Sequence, residues 1–276
     1  MYQSLKRTTL LLCLATMAAA LVPLQPAAAA TVDFTVKGVI SCSGGDTIAG
    51  MYMNSTGGGS GWITSRTRQP NRSGIEYYSY TVRGTSLPTT LRIDVGCGTT
   101  TKPNEWATSN RGPDLVVKTD SNRYVNMWCY GDDSLCKFAK RGTGGSTTTN
   151  PFTGCWCTAL ASARWKEAVG SYVGWEGNAV EWAERAKSSG WTVSDPATYP
   201  VARPRSLMSR PSPIDPAGHV GYVEDVRYVN GKTQILLYER NANDSCKKGN
   251  EPNSDTKTWR DVTSNMRFIV APPAGA

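Results

Sequence analysis

The chain has 276 residues, of which 39% are hydrophobic and 19% are charged. These values exclude a disulfide-stabilised miniprotein and a disordered or collagen-like chain, and the length suggests one or two domains. Basic residues number 30 and acidic residues 22, a net charge of +8, and the chain has eight Cys and a single His. The His count excludes zinc sites that need two or three histidines, so any His-dependent chemistry must use His219.

The first thirty residues have the pattern of a secretory signal peptide. Lys6 and Arg7 precede an apolar stretch at 8–22, and the small residues at 27–30 suit cleavage after position 30. The alternative is an uncleaved anchor, but the stretch is short for a span of about 20 residues. We therefore predict a secreted, extracellular protein with no membrane contact after cleavage. Cleavage would leave 28 basic and 22 acidic residues, a net charge of +6.

An exported chain meets an oxidising environment, so its cysteines are expected to pair. Cys13 leaves with the signal peptide, and seven cysteines remain at 42, 97, 129, 136, 155, 157 and 246. An odd number leaves a free reactive thiol, an intermolecular bridge or a buried inert thiol. Cys42 and Cys97 could join two sheets, and Cys129 and Cys136 could close a short loop, although spacing alone does not fix the connectivity.

The segment 31–140 has the pattern of a β-sandwich module. Apolar residues alternate with period two between Gly, Asn and Pro turns, at positions 32, 34 and 36, at 78, 80 and 82, and at 91, 93 and 95. The following stretch, 141–149, is rich in Gly, Ser and Thr and predicts a flexible linker. A second module would then occupy 150–276.

The ligand of the first module is not evident from its sequence. Its aromatic residues either form the core or stack on sugar rings: Trp62, Tyr77, Tyr78, Trp106 and Trp128. No basic run is interleaved with aromatic residues, so we expect no nucleic-acid binding. The modest basic excess suits an anionic polymer.

The second module begins with a turn at Asn150-Pro151 and continues into a predicted helix from Cys157 onward. Leu160, Ala161, Trp165 and Ala168 would form its buried stripe. Cys157 therefore lies at or near a helix N-terminus, where the helix dipole and free backbone N–H groups favour a thiolate nucleophile. A second amphipathic helix is predicted at 179–187.

A hairpin follows, with strands at 218–229 and 233–238 around an Asn230-Gly231 turn. His219 and the pair Glu239 and Asn241 would lie at the end far from the turn. A two-residue turn would place His219 on the face opposite to that pair. A three-residue loop with a bulge at Gly231 would put all three on one face. If the three residues act together, we therefore predict this odd loop or a bulge.

A Cys, a His and a third polar group form a known hydrolytic set. His219 would take the proton of the Cys157 thiol and later protonate the leaving amine, while Glu239 or Asn241 fixes the imidazole tautomer. Taken singly, His219 could be a structural residue and Cys157 a disulfide partner. The odd number of cysteines favours the joint interpretation.

Four stretches of the second half resemble, in order, the motifs of one family. They are Asn150–Phe152 with Trp156–Thr158, Trp175–Ala179 with Trp182–Ala183, Gly218–Val223, and Tyr238–Asn241. The segment from 150 to about 270 is similar to a CHAP domain, a cysteine- and histidine-dependent amidohydrolase/peptidase.

The resemblance implies an α+β, papain-like fold with helices packed on an antiparallel sheet. It also implies that Cys157 is the nucleophile, His219 the base, and Glu239 and Asn241 the orienting pair. No metal or organic cofactor is expected. The implied activity is cleavage of amide bonds in the peptide stem or cross-bridge of peptidoglycan, by a secreted protein that is free or associated with the cell wall. Separately, we expect a monomer.

Two positions depart from the family pattern. Trp156 stands where the family usually has Gln or Asn, whose side chain helps to hold the oxyanion. Cys155 replaces a common Gly and is an alternative nucleophile, but a disulfide with Cys246 suits it better and leaves Cys157 unpaired. Trp156 keeps open a weak or inactive cell-wall-binding or adhesion protein, and an exported antibacterial or host-directed peptidase is a third possibility.

Overall fold

The structure is a computed structural model that describes residues 30–43, 46–70, 72–99, 101–102, 104–130, 135–194, 201–242, 246 and 255–274. The predicted signal peptide, except for Ala30, lies outside the described residues. From Thr31 to Ala276 the chain forms one compact unit. Most of its regular structure is β strand, with few helices. Within the described ranges, no helix has the length and apolar character needed to cross a membrane.

Eleven strands of the first half form one sheet across the described residues. They are β1 (Thr31–Cys42), β2 (Ile48–Ser55), β3 (Gly61–Trp62), β4 (Ser65–Gln69), β5 (Arg72–Ser86), β6 (Thr89–Cys97), β7 (Thr108–Arg111), β8 (Leu115–Val117), β9 (Arg123–Tyr124), β10 (Met127–Tyr130) and β11 (Leu135–Phe138). The strand order is β3-β2-β6-β7-β11-β10-β1-β5-β4, and β8 and β9 pair with β6 and β1. The all-β character predicted for this segment is confirmed.

This sheet curves around a single hydrophobic core. Met51 and Met53 of β2 lie in one buried cluster with Tyr78 and Val82 of β5, although five strands separate β2 from β5 in the sheet order. The period-two patterns supply this core, because alternate residues of a strand point to the same face. The structure thus has one curved sheet where the sequence predicted a sandwich of two.

Two disulfides lie within this curved sheet. The Cys42–Cys97 bond joins β1 to β6, and the Cys129–Cys136 bond joins the paired strands β10 and β11. Both suggested pairings are confirmed, although Cys42 and Cys97 join strands of the same sheet.

The second half begins with a two-stranded sheet and then forms a six-stranded antiparallel one. The strands are β12 (Ser146–Thr147), β13 (Tyr172–Val173), β14 (Val193–Ser194), β15 (Ser206–Arg210), β16 (His219–Val229), β17 (Lys232–Glu239), β18 (Thr256–Asp261) and β19 (Arg267–Val270). The larger sheet has the order β14-β19-β15-β16-β17-β18. The helices are α1 (Cys157–Val169), a 3-10 turn (Ala179–Glu181) and α2 (Trp182–Ser188).

Both faces of the six-stranded sheet are covered. On one face, Ala161 and Trp165 of α1 lie in a cluster with Leu207 and Val220 of the sheet. On the other face, a second cluster contains Met208, Val223, Ile235, Leu237 and Phe268, and Tyr77 of β5 packs against it. The alternation of the strands therefore divides their apolar residues between the helices and the curved sheet.

The predicted linker is packed against the second half. Its Gly144 carbonyl accepts a hydrogen bond from Trp191 Nε1 at 2.9 Å, and Ser146 and Thr147 pair with β13. Gly145 has a φ of 69° and lies so close to Trp175 that a Cβ atom would be 2.6 Å from its ring. The division into two modules stays a prediction, since the described residues from both sides of 141–149 belong to one compact unit.

Arg203 joins the two halves from a completely buried position. Its guanidinium donates to the Val39 carbonyl at 2.5 Å and to Ser41 Oγ at 3.0 Å, and it lies 3.8 Å from the ring centroid of Trp128. A buried cation is tolerated only when hydrogen bonds and polarisable groups replace its water. Its neighbour Pro204 accepts a further bond from Asn126 Nδ2 at 2.9 Å.

We expect Arg203→Met to lower the free energy of unfolding by about 2 kcal/mol or more, because it leaves buried acceptors without their donor. Urea unfolding followed by tryptophan fluorescence measures the change. Arg83→Met, at an exposed position of β5, is the matched control. Equal stability of the two variants would contradict this account of the junction.

Candidate active site

Cys157 is the first residue of α1, as the sequence predicted. The preceding Trp156 has extended backbone angles of −76° and 150°, and its side chain makes no capping hydrogen bond. The predicted stripe of Leu160, Ala161, Trp165 and Ala168 is buried and anchors the helix. The positive end of the helix dipole therefore points at the Cys157 side chain.

The turn before α1 is held by Asn150. Its Nδ2 donates to the Ala159 carbonyl at 3.1 Å, and its Oδ1 accepts from the Phe152 backbone at 3.2 Å. The Phe152 ring then packs against Trp182 with ring centroids 5.0 Å apart. These contacts fix the approach of the chain to Cys157.

The hairpin that carries His219 contains a bulge, which is one of the two predicted alternatives. The turn is a two-residue one, since Val229 pairs with Lys232, so the odd loop at Gly231 does not form. The register shifts between Val223 and Asp225, and the extra residue is Glu224. Beyond it Tyr222 pairs with Tyr238, and the same register continued by three residues sets His219 opposite Asn241.

Glu224 has charged partners that account for the position of the bulge. Its Oε1 accepts from Arg164 of α1 at 3.1 Å and lies 3.3 Å from Lys257 Nζ of β18. These contacts come from elements distant in sequence. The hairpin pattern alone could not reveal them.

His219 lies between a thiol and a carboxylate. Its Nε2 is 2.9 Å from Glu239 Oε2, and the Cys157 side chain is close enough to the imidazole to affect its pKa. Since Nε2 faces Glu239, Nδ1 is the nitrogen left for the sulfur. His219 is 5% exposed and Glu239 is 0% exposed, so water contributes little to either group.

Burial lowers the pKa of His219, but the neighbouring side chains of Cys157 and Glu239 outweigh it and raise this pKa to about 9. Burial likewise raises the pKa of Glu239, and its bonds to His219 and Arg260 outweigh that effect and hold it below its usual value. The arrangement therefore favours an imidazolium and a carboxylate at neutral pH.

Arg260 is the residue of this group that the sequence did not reveal. It lies on β18, and its guanidinium contacts Glu239 Oε1, the oxygen that does not face His219. Nothing in the local sequence distinguishes this arginine from a solvated one. Arg260 is brought to Glu239 by the pairing of β18 with β17, which is seen only in the folded structure.

Asn241 and the third disulfide hold the opposite wall of the site. Asn241 has a φ of 56°, and its Oδ1 accepts from the Cys246 backbone N–H at 2.7 Å. Cys246 is bonded to Cys155, two residues before Cys157. The suggested pairing is confirmed, and it leaves no thiol at Cys155 for a nucleophile. Among the described cysteines, Cys157 is the free one.

These residues surround a cleft of about 300 Å³. Cys157, His219 and Asn241 line it, while Glu239 lies behind the imidazole. Exposed Trp156 and Ile214 also line this cleft. A substrate in the cleft could therefore reach the sulfur and the imidazole together.

Residues 147–241 match the family model described as CHAP domain. The chain contains a CHAP domain. The match includes Cys157, His219, Glu239 and Asn241, whereas Arg260 lies beyond its end. No curated protein and no solved structure matched the chain.

CHAP domains are generally hydrolases of the amidase or peptidase type, and the cleft of this CHAP domain has groups suited to that chemistry. A sulfur beside an imidazolium can attack an amide carbon to form a thioester, and the imidazolium can give its proton to the leaving group.

Because the chain has a single His, one imidazole resonance reports the state of this CHAP domain. We expect NMR titration of the untagged protein to give His219 a pKa of about 9. Cys157→Ala and Glu239→Gln should each lower that pKa, because each removes a group that favours the imidazolium while burial remains. Glu176→Gln, at an exposed residue, should leave it unchanged. A wild-type pKa near 6.5 would show that the described contacts do not form.

Proposed function

We propose that the protein is a secreted peptidoglycan hydrolase that cleaves amide bonds of the peptide stem or cross-bridge through a cysteine thioester. The observation that supports this most is the free thiol of Cys157 beside the imidazole of His219 in one cleft of a CHAP domain. The six other cysteines of the predicted mature chain are paired, so this thiol is available.

In the first step the Cys157 sulfur attacks the amide carbon, and the carbonyl oxygen becomes an oxyanion. His219 gives its proton to the nitrogen, the C–N bond breaks, and the amine leaves. A water molecule then gives a proton to His219 and a hydroxyl group to the thioester carbon. The C–S bond breaks, the acid leaves, and the sulfur and the imidazolium return to their starting state. Glu239 stabilises the imidazolium, and Arg260 positions Glu239.

Asn241 has a positioning role in this proposal. Its hydrogen bond to Cys246 holds the disulfide to Cys155, and so holds the chain that leads to Cys157. The oxyanion would accept a hydrogen bond from the backbone N–H of Cys157 at the start of α1. Trp156 supplies no second donor of the amide type.

The wider features of the proposal follow from the same elements. The nucleophile on α1 and the base on the antiparallel sheet correspond to a papain-like arrangement. All the proposed catalytic groups belong to one chain, so we propose a monomer without a cofactor. The net charge of +6 after signal cleavage would favour the anionic cell wall, more weakly at high salt.

The test is hydrolysis of purified peptidoglycan by residues 31–276, measured as the loss of turbidity of the suspension. We expect Cys157→Ala and His219→Ala to lower the rate by about 10³-fold or more, because each removes a partner of the covalent step. Asp120→Asn, at an exposed residue outside the cleft, serves as the control that keeps the rate. In H₂¹⁸O, mass spectrometry should find one ¹⁸O in each new carboxylate and identify the bond. Hydrolysis that survives both substitutions would overturn the mechanism.

Trp156 generates a second prediction. We expect Trp156→Gln to raise kcat by about tenfold or more, since an added amide donor near the oxyanion stabilises the transition state more than the ground state. Trp156→Leu, which adds no donor, separates this effect from the loss of an indole. An unchanged kcat in the Gln variant would mean that this side chain does not reach the oxyanion.

Trp156 also favours a second candidate, a cell-wall-binding or adhesion protein with a weak or inactive site. Labelling with iodoacetamide in the absence of reductant separates the two. Stoichiometric labelling of Cys157 supports the hydrolase, and an unreactive folded protein supports the binder. The same site would serve an exported antibacterial or host-directed peptidase, which substrate profiling would identify.

A further inference from the structure

An aromatic cluster lies on the outer face of the curved sheet, far along the chain from the CHAP domain. It consists of Tyr52, Trp62 and Trp106, which we call the aromatic platform. The Trp62 ring lies 5.3 Å from that of Tyr52 and 5.6 Å from that of Trp106, edge to face in both contacts. Trp62 is 59% exposed and Trp106 is 36% exposed.

The sheet is shaped to hold this platform. Gly50 of β2 and Gly96 of β6 are directly paired, and both positions lie on the face of the sheet opposite to the core. The Trp106 ring lies in the recess that the two glycines leave, because a Cβ atom on Gly96 would be 2.2 Å from that ring and one on Gly50 would be 3.0 Å from it. The position of the indole is therefore fixed by the backbone.

Polar side chains continue from the platform in one row across the sheet. Trp62 pairs with Tyr52, Tyr52 with Asp94, and Asp94 with Arg111, so four neighbouring strands contribute one residue each. The row spans about 14 Å at the usual strand spacing. Asp94 accepts from Asn54 Nδ2 at 2.8 Å and from Arg92 Nε at 2.9 Å, which orients planar hydrogen-bonding groups beside the rings.

The end of the row far from the rings carries a cation. The Arg111 side chain is 60% exposed, and its contact with Asp114, itself 54% exposed, is 3.6 Å long. Such an exposed pair is weak, so the guanidinium remains available to a carboxylate. Together the row offers aromatic rings at one end and a cation at the other.

We propose that the aromatic platform and the row to Arg111 bind the glycan strand of the cell wall. The apolar C–H face of a pyranose ring fits the electron-rich face of an indole, and planar amide, carboxylate and guanidinium groups bind ring hydroxyls and acids. A sugar is favoured over a protein partner because the row continues from the rings with the hydrogen-bonded groups of Asn54, Arg92 and Asp94, which suit ring hydroxyls. The identity of the polymer rests on the proposed function, whereas the sugar-binding chemistry rests on the platform itself.

The experiment measures binding of the full chain with Cys157→Ala, so that nothing is cleaved. The probes are insoluble peptidoglycan and a soluble oligomer of N-acetylglucosamine. Adding Trp62→Ala should weaken binding to both by about tenfold, because one stacking contact is lost. Trp62→Phe should retain most of the affinity. Val229→Ala, which truncates an exposed apolar residue of the CHAP domain, should bind as the parent does.

Two further measurements keep the outcomes distinct. In the parent protein, the oligomer should shift the indole N–H resonance of Trp62. This measurement does not depend on whether a variant of the platform folds. With Cys157 intact, Trp62→Ala should cleave soluble stem peptides at the wild-type rate, so a failure of the proposed function is seen separately. Three results would each overturn the proposal. They are unchanged binding in Trp62→Ala, an unshifted indole resonance, and a loss of the platform that alters only self-association.

Discussion

A carboxylate removed from water must be neutralised at both of its oxygens, and the site around Glu239 meets this requirement. His219 contacts one oxygen and Arg260 the other, and the side chain is fully buried. The three residues come from three adjacent strands, so one buried charge sets the register of β16, β17 and β18. The same charge, together with the sulfur of Cys157, explains why the imidazole retains its proton although burial opposes it.

The sequence was most informative where one strong local pattern acted alone. The apolar stripe from Leu160 to Ala168 predicted α1, and the Asn230-Gly231 dipeptide predicted the hairpin. The need to place His219 with Glu239 predicted a bulge, yet not its location. Glu224 occupies the bulge because Arg164 and Lys257 bind it there, and such long-range partners leave no periodic signature.

The junction between the halves was hidden for a similar reason. Arginine is usually a surface residue. Arg203 becomes a buried donor only because β1 and β10 pack against it. The Gly, Ser and Thr residues of 141–149 predicted flexibility because small residues lack side-chain contacts of their own. In the structure, the lack of a Cβ atom at the glycines of this stretch lets tryptophan rings of the second half contact its backbone.

The Cys155–Cys246 bond has a topological consequence. It closes a loop whose ends are 91 residues apart in sequence, and Cys157, His219, Glu239 and Asn241 all lie inside that loop. An unfolded chain that keeps this bond holds the four residues in one covalent ring. In the chain-entropy model, closing a ring of this size lowers the entropy of the unfolded ensemble and so raises its free energy by on the order of 5 kcal/mol at room temperature. Arg260 lies outside the ring, so the stabilising partner of Glu239 must be recovered by strand pairing alone.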